Sequence, residues 1–119
     1  MLIETRFFSG TSEIDLVASC RLFNRVRREA GIWRLASLDV IYEKDTCSPV
    51  NPADPVQINW EKLLEYRPSY RFLCYYNLHR FGRTVDPDLP GDDRPELVTL
   101  LYAEADAWLQ DKRASRPSL

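Results

Sequence analysis

A chain of 119 residues, 45% hydrophobic and 29% charged, has the size and composition of one domain with a true core. A formal net charge of −2 argues against a coat for nucleic acid or for an anionic membrane surface. No stretch approaches the roughly 20 apolar residues that a membrane-spanning helix requires.

In chain order, "LIETRFF" (2–8) is short, rich in strand-forming residues and closed by "SGTS", which predicts a strand. "TSEIDLVASCRLFNRVRREAG" (11–31) offers Thr11 and Ser12 as helix caps and Gly31 as a stop. At 100° per residue, Leu16, Ser19, Cys20, Leu22, Phe23, Val26 and Ala30 gather on one side of this segment. Arg21, Arg25 and Arg28 gather on the other, so the pattern predicts an amphipathic helix with a basic stripe.

Val40, Ile41 and Tyr42 predict a strand over about 36–43. Three prolines make "DTCSPVNPADPVQ" (45–57) irregular. "NWEKLLEY" (59–66) reads as a short helix capped by Asn59 and stopped by Pro68. In "YRFLCYYNLHRF" (70–81) a helical projection scatters the polar residues around the axis. A strand instead places Phe72, Cys74, Tyr76 and Leu78 in one apolar row, with Gly82 as the break, so a strand is expected and a buried central helix is the alternative. After the loop "RTVDPDLPGDD", Asp93 and Glu96 have capping-box spacing, and Leu97, Leu101, Ala105 and Trp108 form a helical stripe.

These elements predict an α+β fold: a small, about three-stranded sheet covered by two long amphipathic helices. A mainly α bundle is the alternative. Residues 1–113 are expected to form one globular domain, with 114–119 as a frayed tail.

The chemistry-bearing residues form no recognisable site. Cys20, Cys47 and Cys74 show no paired spacing and read as reduced thiols, and "MLIETRFFSG" lacks the pattern of a signal peptide; both point to a cytoplasmic protein. The lone histidine, His79, has no thiol or carboxylate at a spacing that would make it a general base. "DPDLPGDD" resembles a calcium loop at Asp86, Asp88 and Gly91, but Pro90 and Leu97 stand where ligand oxygens are needed. No catalytic residue, metal site or organic cofactor is expected.

A small protein-interaction module remains: an inhibitor, anti-activator, immunity factor or adaptor that occupies the surface of another protein. The candidate interface is the second row of the expected strand, Arg71, Leu73, Tyr75 and His79. Residues 86–111 carry eight acids against Arg94, while residues 60–84 carry five bases against two acids, which suggests a homodimer. Two other readings are a nucleic-acid-binding regulator using Arg21, Arg25 and Arg28, and a small enzyme whose site is assembled only by folding. Nucleic acid is the weaker partner class, and no membrane partner is expected.

Overall fold

The structure, a computed structural model, describes residues 1–114. Three antiparallel strands form one sheet in the order β1–β2–β3: β1 (Leu2–Ser9), β2 (Ser12–Glu29) and β3 (Ile32–Pro49). They are followed by a one-turn helix α1 (Trp60–Leu63), then α2 (Arg71–Phe81) and α3 (Pro95–Ala114). The α+β class stands, and the α bundle does not.

Two sequence expectations are corrected. Residues 11–31 are not a helix; they are strand β2 and its turns. In a strand the side chains alternate, and Ile14, Leu16, Ala18 and Cys20 are all buried while their odd-numbered neighbours are not. Both ends of β2 are two-residue hairpin turns, with Ser9 opposite Ser12 and Glu29 opposite Ile32. Gly10 takes φ 62° in the first turn, and Ala30 and Gly31 take φ 50° and 81° in the second. Positive φ at both central residues matches the right-handed twist of the flanking strands, so the chain reverses at Gly31 where a helix was expected to stop.

Conversely, residues 71–81 are a helix, α2, with Tyr70 as its N-cap, and the strand row Phe72–Cys74–Tyr76–Leu78 does not exist. Cys74, Tyr75 and Tyr76 are buried in succession, which one half-buried strand face cannot do but a helix wedged between two layers can. The left-handed Gly82 ends it: the Gly82 N–H donates to the Leu78 carbonyl and the Arg83 N–H to that of Asn77. The long helix pair expected over the sheet is therefore absent as drawn, because one of its members is a strand.

The expected strands at 2–8 and 36–43 lie within β1 and β3, but β3 also takes in residues 45–49, which were expected to be irregular, because β2 pairs with them as far as Pro49. Asn59 caps α1 by accepting the Lys62 N–H at 3.3 Å. The C-terminal helix is present as α3. Residues 115–119 of the expected tail lie outside the described residues.

At 67 × 29 × 23 Å the molecule is elongated. Its radius of gyration is 18.8 Å, against about 14 Å for a compact chain of this length. The cause is the β2–β3 hairpin, whose 18-residue strands each span roughly 60 Å. The core sits at its base. There Phe7, Ile14 and Leu16 meet Leu63, Tyr75 and Tyr76, and the Phe7 and Tyr76 rings meet edge-on at 5.0 Å.

Candidate interaction surface

One face of the hairpin runs its full length, with two register shifts on the way. Moving outward from the base, the facing pairs are Leu16–Cys47, Ala18–Asp45, Cys20–Tyr42, Leu22–Val40, Asn24–Leu38, Val26–Leu35 and Arg28–Trp33. Register shifts next to Cys20 and next to Val26 keep β3 in phase, turning Leu35, Leu38, Val40 and Tyr42 to the same side despite their uneven spacing.

The inner half of this face is covered by α1 and α2, and Ile14 and Cys20 are 0% exposed. Beyond Cys20 the pattern continues but the cover stops. Val26 is 52% exposed, Leu35 and Leu38 56%, and Trp33 64%. Leu22 is also exposed, and Val40 is half-buried. These side chains have the strand period of a core face and no element over them among the described residues.

The opposite face of the same segment is covered by α3. Phe23 meets Tyr102 at 5.0 Å, and the Arg25 guanidinium lies over the Trp108 ring at 6.0 Å. The hairpin therefore lies between α3 on one side and open space on the other. One edge is also open: β1 accompanies β2 only from Ser12 to Ser19, and Met1 and Cys20 exchange the last backbone bonds. From Arg21 to Glu29 that edge of β2 has no backbone partner among the described residues.

The expected basic stripe is split by the strand. Arg21 and Arg25 are on the α3 side, and Arg28 is on the open face, cross-strand from Trp33 with its guanidinium 6.0 Å from that ring. Arg21 is committed to Asp92 at 3.0 Å and to Glu43 at 3.2 Å. The segment from Arg21 to Leu38 still holds Arg21, Arg25, Arg27, Arg28 and Arg34 against the single acid Glu29. Of these, Arg28 alone is on the open face; Arg27 and Arg34 pair cross-strand on the α3 side, where they reach Glu29 at 2.7 and 3.5 Å.

The residues expected to form an interface at 70–81 are also redistributed. Arg71, Tyr75 and His79 are spaced one turn apart on α2, while Leu73 points elsewhere. Tyr75 is buried and its hydroxyl accepts the Asn59 N–H at 3.1 Å. His79 is exposed, with its ring 4.4 Å from that of Tyr75. Both line a cleft of about 220 Å³ with Phe7, Phe8 and Arg80. Arg80 is held there over the Phe7 ring and donates to the Phe8 carbonyl. No carboxylate or thiol lines this cleft, so His79 has neither an orienting acid nor a thiol nucleophile there.

The cysteines are equally unsuited to nucleophilic work. Burial pushes the Cys74 thiol up to about 11 and raises that of Cys47, which keeps both protonated. No set of three His, Cys, Asp or Glu side chains with metal-binding geometry occurs among the described residues. No described helix is long and apolar enough to cross a membrane.

No family model matches the chain. It is 35% identical over 117 residues to pea pathogenicity protein 2 of Fusarium vanettenii, across 93% of this chain and 50% of that protein. A PEP2-like protein of the same fungus is 33% identical over 118 residues, covering 94% of this chain and 51% of that protein. An uncharacterized protein of Emericella nidulans is 32% identical over 121 residues, with 51% of its length covered. The chain thus spans about half the length of the curated relatives it matches. Neither of the first two names describes an enzymatic activity.

Sequence reasoning missed the open hairpin face, although its signal is present. From Ile14 to Val26 every even-numbered residue except Asn24 is apolar, which is period two sustained over 13 residues.

Proposed function

We propose that this protein is a non-enzymatic binding module that acts by holding another polypeptide against the projecting β2–β3 hairpin. One observation carries the reading: the apolar face that is core beneath α2 continues uncovered through Leu22, Val26, Trp33, Leu35 and Leu38. Exposed apolar patches of this kind mark contact surfaces. Trp33 flanked by Arg28 has the composition of a binding hot spot. The similarity to proteins named for pathogenicity is compatible with a role in binding rather than catalysis, and a cytoplasmic location belongs to the same proposal.

The test compares the wild-type chain with a Leu35→Ser/Leu38→Ser variant as bait in a fungal lysate. A polypeptide held by the wild type and lost from the variant, with melting temperature shifted by no more than a few degrees, supports the reading. Identical retention by both chains counts against it. Loss of retention on adding nucleic acid or moderate salt alone would move the assignment to the runner-up reading, phosphate binding by the arginines.

A further inference from the structure

We infer that the open hairpin face is the seat for the polypeptide that the relatives carry beyond the stretch matched here. The inference rests on the proposed binding role and names the occupant. The six apolar side chains Leu22, Val26, Trp33, Leu35, Leu38 and Val40 expose roughly 500 Å², near the upper end of what a monomer leaves uncovered. Their register is that of an interior, continuous with Ile14, Leu16, Ala18 and Cys20. A face built to this pattern is half of a sheet-on-element layer whose other half comes from elsewhere.

Two features narrow that source. A second copy placed face to face would bring a second Arg28 onto a surface that carries no acid between Leu22 and Leu38 to offset it. The relatives, in contrast, carry about as much chain outside the matched stretch as within it, since 117 matched residues make up 50% of pea pathogenicity protein 2. A unit of that size can both cover the face and extend the open β2 edge from Arg21 to Glu29 with a strand of its own. Arg28 beside Trp33 calls for a carboxylate at the border of its contact surface.

The unmatched half of pea pathogenicity protein 2 is produced as a separate polypeptide and mixed with this chain. The expected result is a one-to-one complex by light scattering, with amides of 22–28 and 33–40 protected from hydrogen exchange. Trp33 emission should shift to the blue, and Leu35→Ser/Leu38→Ser should weaken the complex at least tenfold. Because the separate half could fail to fold, a second measurement uses the intact relative. A cysteine placed at its position aligned with Leu35 should be unreactive in the whole protein and reactive in the matched half alone. A reactive cysteine in the intact relative overturns the inference. So does a dimer of this chain whose hairpin amides are protected without any added half. If the inference fails while the lysate partner is still lost from the Leu35→Ser/Leu38→Ser variant, the binding role stands with a different occupant. If the lysate partner is also unaffected, both readings fail.

Discussion

The Asp45 carboxylate on β3 accepts the Leu73 backbone N–H at 2.9 Å and thereby caps a helix 28 residues further along the chain. The N-cap residue of α2, Tyr70, makes no side-chain capping bond, so the sheet supplies the acceptor that the helix sequence lacks. Docking and capping of α2 are one event.

The same carboxyl group gives stability a pH dependence. Burial pushes Asp45 from 3.8 up to about 6, against the opposing pull of the Leu73 and Phe72 amides and of Arg71. A carboxyl raised on folding favours the protonated native state, so its contribution grows as pH falls from 6 towards 4 and is lost above 6. Between pH 7 and pH 5 this gain is about 1 kcal/mol. Asp45→Asn keeps an acceptor for Leu73 and removes the charge. Urea midpoints should rise from pH 7 to 5 in the wild type and stay level in the variant.

Asp93 behaves oppositely. The Arg67 guanidinium grips it through two bonds of 2.8 Å and Ser69 donates at 2.6 Å, holding its carboxyl down to about 2. Its stabilisation is complete above about pH 4 and disappears as pH falls towards 2. Arg67 also donates to the Pro87 and Leu89 carbonyls and so ties the 83–94 loop to the body. Arg67→Ala should cost about 3 kcal/mol, because it leaves the half-buried Asp93 charge without its cation and with Ser69 as its remaining side-chain donor. Limited proteolysis should then cut within 83–90 before the protein melts.

The helical form of 70–81 separates two substitutions that a strand would treat alike. Tyr76 is buried against Phe7, whereas Leu78 is exposed. Tyr76→Ala should cost about 3 kcal/mol and Leu78→Ala less than about 1 kcal/mol in chemical denaturation. Equal losses would return the segment to a strand.

Ala30 takes φ 50° at the tip of the long hairpin, in a turn that favours Asn or Gly. Ala30→Asn should stabilise the tip by about 1 kcal/mol. Slower amide exchange at Arg28, Glu29 and Ile32, with the core unchanged, is the expected reading.

The sequence alone determined the features set by local rules: β1, the middle of β3, the Asn59-capped α1, the stop at Gly82 and the stripe of α3. These depend on turn residues, caps and periodicity, which neighbouring residues decide among themselves. Residues 12–29 satisfy both periods at once, because Leu16, Cys20 and Phe23 suit a helix as well as Ile14, Leu16, Ala18 and Cys20 suit a strand. Only pairing with β1 and β3 resolves that tie, since a strand's backbone hydrogen bonds must be supplied by distant partners. The same holds for α2, whose cap is on another element and whose apolar residues face two layers rather than one. The candidate surface was hidden for that reason. Leu38 reads as an ordinary strand residue, and Trp33 and Leu35 precede the expected strand, until the tertiary structure extends β3 to Ile32 and shows that α2 ends its cover near Cys20.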